Sequence, residues 1–442
     1  MSGIGRLRCQ CFSGSTIQPV GKAKVTVTDP QTKKEQVLYT NTVGTTEEIE
    51  LETPDMSASQ SPGNVPYYLY DVKVEREGFN PLQINGAQVY PNRVAIQKCN
   101  LEFLDNTRAT TVNVIDILAN TLVGNFPAKI PEDPIKPLPK PSGTVVLPEP
   151  VVPQFVVVHA GTPDNTSAPN YTLPYAEYIK NVASSEIFST WPNSTIRANI
   201  YCIISFTLNR IYTEWYRGKG KNFDITNSTA YDQAFVYGRT IYDNISAVVD
   251  QIFSTFVQRP NEKQPLLTQY CNGTTVTCPD WLSQWGSKYL GDQGNSPYEI
   301  LTHYFGYDLN LVTAPKVQGI PQSFPGYILK LGYNNIYVRR LQEYLNSISN
   351  NYPLIQKVAV DGNFGPATAN AVKTYQQIFN LPQTGEVDYA TWYSISNTYV
   401  AVNKLAELTR SMLTDNYDED ENGIFCPPVI NDLVKNVPIV KY

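Results

Sequence analysis

Histidine is scarce: the chain of 442 residues holds two, His159 and His303. A Ser-His-Asp triad or a histidine-rich metal site needs an imidazole at its reacting atoms. One histidine follows an apolar, strand-like run and the other sits in a helical pattern, so both read as structural. A G-x-S-x-G elbow and a phosphate-binding P-loop are also missing. No Lys/Arg-rich run exists and the net charge is −6, which removes the electrostatic basis for nucleic-acid binding. No apolar run reaches the roughly 18 residues of a membrane-spanning helix, so no span is expected. The opening MSGIGRLRCQC has no long apolar stretch, so no Sec signal peptide is expected. Paired CxxC motifs are lacking too, and the seven cysteines, at irregular spacing, read as reduced apolar residues. Cys271 and Cys278 leave two further readings open, a disulfide or a metal site. Tyrosine is abundant at 30 residues. Sugar-binding surfaces use such rings, but a tyrosine-rich β surface is the simpler account.

At roughly 150 residues per domain, the length suggests about three domains. Residues 1–104 alternate polar and apolar in AKVTVTD, EEIELET, YYLYDVKVER and RVAIQKCNLEF, separated by Gly and Pro turns, which predicts a β-sandwich. Residues 105–155 break this pattern, with nine prolines between Pro127 and Pro153. Proline fixes φ and removes a donor, so this stretch reads as a semi-extended tether, either a plain spacer or a protease-accessible junction. Residues 156–315 mix strands (FVVVHAG, NFDIT, QAFVYG, QPLLTQYC) with helices (DNISAVVDQIFSTFV, SPYEILTHYFG), an α+β domain. Within it, one helix ends near Ser189 and a long amphipathic one follows Trp191-Pro192, capped by Asn193 or Ser194 and burying Tyr201, Ile204, Leu208 and Ile211. Residues 401–442 continue as a helix, an acidic segment read as a solvated turn, and a tail.

Residues 328–400 are the most patterned part. Helical periodicity in VRRLQEYL and ATANAVKTYQQIFNL flanks the turn VDGNFG, where Asp361-Gly362 supply turn chemistry and Gly365-Pro366 start a helix. Thr384-Gly385 makes a second turn before a short helix that opens at Asp388, an N-cap, and carries Trp392. Leu341-Gln342, Asp361-Gly362, Phe364-Gly365, Thr368, Ala371-Val372, Tyr375-Gln376, Leu381, Thr384-Gly385, Val387-Asp388 and Thr391-Trp392 resemble the three-helix peptidoglycan-binding domain in order. Tyr375 stands where that family usually has Phe. The resemblance implies a cell-wall partner, peptidoglycan. In the first domain, GKAKVTVTD and the later EGFNP resemble the transthyretin-like or carboxypeptidase-regulatory-like sandwich, which implies a folding or docking module.

Carboxylates carry the remaining chemistry. Glu186 lies at a helix end in NVASSEIFSTWP, beside Ile187, Phe188 and Trp191. An apolar wall disfavours the ionised form and raises a carboxyl pKa, as a general acid near neutral pH needs. The order of motifs around it resembles the stage II sporulation protein D family of peptidoglycan lytic transglycosylases. VASSEIFSTWP places the family's catalytic Glu at Glu186, and STIRANIYCIISFT matches its following helix, with Asn199 in the place of a Gln. QAFVYG places its strand Gln at Gln233, Ser283-Gln284-Trp285-Gly286 matches SQWG, and EILTHYFG puts Tyr304 and Phe305 at its aromatic positions. Departures are clear: Ile203-Ile204-Ser205-Phe206 replaces the family's Ala-Arg-Thr-Tyr, and Ala230, Tyr231 and Asp232 replace the His/Cys tied to zinc in some members. No metal or cofactor is therefore expected. The resemblance implies Glu186 as acid and base, with Asn199, Gln233, Ser283, Gln284 and Tyr304 as candidate substrate contacts.

The whole chain, then, is expected to be multi-domain: an N-terminal β-sandwich, an α+β catalytic domain and a C-terminal three-helix peptidoglycan-binding domain. This architecture resembles the clostridial type of spore cortex-lytic enzymes, stored inactive in the spore and cut by a germination protease. The resemblance implies residues 1 to about 150 as a prosegment, cutting near Glu149–Val152, and residence in the spore cortex or outer layers. Two alternatives stay open: a non-catalytic wall-binding scaffold, and an N-acetylmuramidase with Asp224 or Asp232 as second acid.

Overall fold

The computed structural model describes residues 3–14, 17–104, 111–134, 149–276 and 278–403. Residues 135–148 of the proline-rich stretch and nearly all of the expected C-terminal helix, acidic turn and tail lie outside the described residues.

The N-terminal domain is built from β1 (Gly3–Ser13), β2 (Gln18–Pro19), β3 (Lys24–Thr28), β4 (Glu35–Tyr39), β5 (Ile49–Thr53), β6 (Tyr68–Glu75), β7 (Leu82–Val89), β8 (Val94–Asn100) and β9 (Asn113–Asp116). In β1 every second residue from Gly5 to Ser13 is buried, the period of a half-buried strand. Two sheets face each other. β1 joins β8 in parallel and β5 and β2 in antiparallel fashion, while the second sheet runs β4-β3-β6-β7-β9. Leu7, Cys9, Cys11 and Cys99 of one sheet and Val25, Val72, Val74 and Ile84 of the other are buried in the core. The sandwich therefore reaches past residue 104, because β9 adds to its edge beside β7.

The central domain follows as β10 (Phe155–His159), β11 (Asn170–Pro174), α1 (Tyr175–Glu186), α2 (Asn193–Tyr212), β12 (Ile225–Thr226), β13 (Ile241–Tyr242), α3 (Asp243–Ile252), β14 (Thr255–Gln258), β15 (Tyr270–Cys271), β16 (Leu282–Ser283), α4 (Gln284–Asp292), α5 (Pro297–Phe305) and β17 (Asn310–Thr313). Helix α2 is the axle, packed by α1, α3, α4, α5 and β14. It is buried on nearly every side rather than along one stripe, with Tyr201 and Ile211 at its rim. No side chain caps its N-terminus. Pro192 occupies the N-cap position, and the expected Asn193 or Ser194 cap does not form. α5 does open on a full capping box between Ser296 and Glu299. QAFVYG is an irregular segment rather than a strand, and the STFV end of the predicted third helix is extended, in part as β14.

The C-terminal domain has α6 (Ile336–Ile348), α7 (Pro366–Ile378) and α8 (Tyr389–Val402), three helices as expected, the last longer than its short pattern suggested. Asp388 accepts the Thr391 N–H at 2.8 Å as N-cap.

Sandwich and central domain share a sheet. β13 pairs antiparallel with β8, Ile241 opposite Ile96 and Tyr242 opposite Ala95. Gln97 locks the junction, donating to the Gly238 carbonyl at 2.9 Å and accepting from the Thr240 hydroxyl at 2.8 Å. Tyr90 of the sandwich packs edge-on against Tyr242, ring centroids 4.9 Å apart.

Candidate active site

α1 stops at Glu186 because Ile187 turns extended, with φ −129° and ψ 157°. Phe188 and Trp191 then fold under the helix end and meet Trp285 of the SQWG segment, with the Trp191–Trp285 centroids 5.0 Å apart. This cluster brings the Glu-bearing turn and SQWG together. Gln284 completes the junction by donating its side-chain N–H to the Glu186 carbonyl at 3.1 Å.

The Glu186 side chain is 3% exposed. Its Oε1 accepts the Ala234 N–H at 2.6 Å, while Oε2 is buried without a well-formed hydrogen bond. Burial raises this carboxyl above the usual range; the Lys129 ammonium, the Ala234 N–H and the Tyr270 hydroxyl oppose the rise without cancelling it. Beside it lies a cavity of about 60 Å³, lined among others by Phe126, Lys129, Tyr270, Asn272 and Gln284. Ile187, Phe188 and Trp191 are not part of its lining. They support the helix end, and the walls come from distant segments.

One of those segments corrects the reading of residues 105–155 as a free tether. Residues 126–132 dock onto the central domain. Lys129 is buried, donates to the Asp232 carbonyl, and stands 4.5 Å from the Phe206 ring centroid and 4.6 Å from that of Tyr270. Burial pulls its ammonium down to about 8, against the opposing pull of Glu186 and Asp232. Glu132 takes a two-pronged bond from Arg210, at 2.9 and 2.5 Å. Arg210 also donates to Asp232 at 2.7 Å. At the other end of the proline-rich stretch, Val152 is buried and bridges Val317.

The remaining predicted site residues divide. Gln284 reaches the cavity. Asn199 does not line it: its amide donates to the Thr195 carbonyl at 2.9 Å and to the Ser287 hydroxyl at 2.8 Å, tying α2 to α4. Gln233 is fully internal, accepting from the Tyr178 and Thr207 hydroxyls and donating to the Ile203 carbonyl. Ser283 is the N-cap of α4, accepting the Gly286 N–H at 3.0 Å, and Tyr304 lies on α5 against Gly286. Asp232 borders the cavity, but its carboxylate oxygens are taken by Arg210, Thr226 and Tyr216. Asp224 holds the Val157 N–H and Arg217. His159 is buried with Nδ1 2.8 Å from Asn170, whereas His303 is exposed on α5.

Cys271 and Cys278 form a disulfide, which corrects the reading of all seven cysteines as reduced. Cys9, Cys11, Cys99 and Cys202 are free and buried. The bridge closes a loop whose Asn272 and Val276 border the cavity. Among the described residues, no group of three or more His, Cys, Asp or Glu is placed to hold a metal ion. The sequence did not point to Lys129, Tyr270 or Glu132, and it offered Asp232 as a second acid rather than as a partner of Arg210. Arg210 left a signal, as a cation inside an apolar helix.

In the C-terminal domain two glutamines organise the two turns in the same way. Gln342 accepts the Asp361 and Gly362 N–H groups at 3.1 and 2.9 Å and donates to Asn363 and Thr368. Gln376 accepts the Gly385 N–H at 2.8 Å and donates to Glu386 and Thr391. Gly362 and Gly385 sit at φ +83° and +72°, where a side chain is strained.

Residues 335–395 match the family described as "Putative peptidoglycan binding domain". This segment is a peptidoglycan-binding domain, which supports peptidoglycan as a partner. No curated protein matches the sequence significantly. Among solved structures, a mercury-inhibited catechol 1,2-dioxygenase from an Acinetobacter species is similar at 13% identity and a TM-score of 0.18, over 26% of this chain and 59% of that one. A "putative membrane-associated protein of unknown function" from Bacteroides fragilis is similar at 15% identity and a TM-score of 0.16, over 27% of this chain and 33% of that one. The chain thus spans less than two thirds of either structure.

Proposed function

We propose that this chain is the inactive precursor of a lytic transglycosylase acting on spore cortex peptidoglycan. Glu186 carries the reading: a buried carboxyl with a raised pKa at a cavity, one oxygen fixed by Ala234 and the other without a well-formed hydrogen bond. Such a group is protonated more readily than a surface carboxylate and can hand its proton to a glycosidic oxygen. The bond between that oxygen and C1 of the muramoyl sugar breaks. The sugar's own 6-hydroxyl closes onto C1, and its proton returns to Glu186. An intramolecular nucleophile needs no positioned water and no second carboxylate. The engagement of both Asp232 and Asp224 by other partners favours this route over a two-carboxylate hydrolase. The peptidoglycan-binding domain anchors the enzyme on its polymer, and a germination protease cutting in the proline-rich stretch releases the active form in the spore. The test is to cut the purified chain there, incubate it with cortex and mass-analyse the products. Muropeptides with 1,6-anhydromuramoyl ends support the proposal, and reducing ends alone would show a hydrolase.

A second reading, a non-catalytic wall-binding protein, is favoured by the size of the cavity: about 60 Å³ does not admit a sugar ring. It requires that the cut chain binds cortex without solubilising it.

A further inference from the structure

We infer that residues 126–132 are an internal plug that closes the Glu186 cleft against the glycan, pinned by Lys129 and Glu132. The inference rests on the reading of Glu186 as the acid and names how that site is regulated. Four observations carry it. Phe126 and Lys129 line the same cavity as Glu186. The segment is gripped from two sides: the Ile130 N–H donates to the Ala230 carbonyl at 2.7 Å, while the Gln269 side chain accepts from the Glu132 N–H at 3.1 Å and donates to the Ile130 carbonyl at 3.0 Å. Ala230 and Gln269 border the stretches that supply Asp232 and Tyr270 to the cavity wall.

The burial pattern is also inverted relative to a core segment. Lys129 is 9% exposed whereas its neighbour Ile130 is 44% exposed. A segment packed for stability buries its isoleucine and leaves its lysine in water. This one inserts a cation between two aromatic faces and a carboxylate, and anchors its other end through the Glu132–Arg210 fork. Lastly, the plug acts on the acid as well as on access. The Lys129 charge favours the ionised form of Glu186, the form that has no proton to donate.

The plug and the sandwich hold on through separate contacts. A cut beyond Pro134 therefore leaves the plug seated until the N-terminal part dissociates, and cutting and activation are separate events.

The test uses the full, uncut chain with Lys129→Ala and Glu132→Ala, singly and together, beside uncut and cut wild type. Hydrogen exchange at the Ile130 and Glu132 amides reads plug release, and exchange in the sandwich and the C-terminal helices reports that the fold is intact. The double variant is expected to exchange these amides at least ~10-fold faster, and to release anhydro-ended muropeptides from cortex at least ~10-fold faster than uncut wild type. Unchanged exchange in the double variant overturns the proposal. So does a freed plug in an inert double variant while the cut wild type is active. If no form, cut or uncut, yields anhydro ends, the catalytic reading falls and takes the plug with it.

Discussion

The Ala234 N–H, which lies outside any strand, donates to Glu186 Oε1 over 2.6 Å. That bond exists because the segment carrying Ala234 is irregular. In the strand expected for QAFVYG this donor would face a neighbouring strand. Meanwhile Gln233, one residue earlier, is fixed by Tyr178 and Thr207, so the backbone at Ala234 is held in register with the end of α1.

Glu186→Gln keeps the shape and the Ala234 contact but cannot donate an acid proton. On the proposed reaction, anhydro-product formation by the cut chain is expected to fall by about 10²-fold or more. The melting temperature at pH 7 is not expected to fall, since a desolvated carboxyl is removed. Product analysis and a thermal melt check both.

Arg210→Ala is expected to destabilise the central domain by about 3–5 kcal/mol, because Asp232 and Glu132 lose the cation between them. Arg210→Lys restores charge but not the fork, and is expected to recover only part of the loss. Urea denaturation measures both.

Gln342→Ala leaves the Asp361 and Gly362 N–H groups without their acceptor. An unsatisfied buried donor costs about 1–3 kcal/mol, so the C-terminal domain is expected to melt earlier and to retain less peptidoglycan in a sedimentation assay. Gln376→Ala is expected to do the same at the second turn. Equal melting of variant and wild type would refute the organising role.

Acid is expected to loosen the join between sandwich and central domain. Burial alone would raise Glu177, but Lys98 of the sandwich and Lys180 outweigh it and hold the carboxyl at about 2. A depressed folded value means that the stabilisation is present above the ordinary value of 4.5 and is lost as pH falls from there toward 2. Neighbouring Asp250, pushed up by burial against the pull of Lys180, works in the opposite sense. The contribution of Glu177 is isolated by comparing wild type with Glu177→Gln at pH 7 and pH 3. The stability gap between them should shrink on acidification.

Legibility in the sequence followed the range of the contacts. The C-terminal domain was readable because its turns are satisfied within a few dozen residues, by Gln342 and Gln376 and by the Asp388 cap. The Glu186 turn and SQWG were readable as separate motifs. Their meeting through Trp191 and Trp285 is a tertiary fact that each motif only implies. Lys129 was invisible: in a proline-rich stretch a lysine looks like a solvated charge, and only the fold supplies the Phe206 and Tyr270 rings around it. β13 was equally hidden, since two residues have no periodicity. QAFVYG read as a strand from its β-branched and aromatic content, which here lines a loop packed on α1 instead.

Ile241 and Tyr242 finish a sheet that the sandwich began. If the sandwich leaves, the outer side of that short pair meets water, along with the ring of Tyr242 that Tyr90 had covered. Return to the stored form would require two folded bodies to find one another again at dilution. If activation proceeds as proposed, it therefore runs in one direction, and the uncovered strand pair and ring are expected to make the cut form less soluble than the uncut chain.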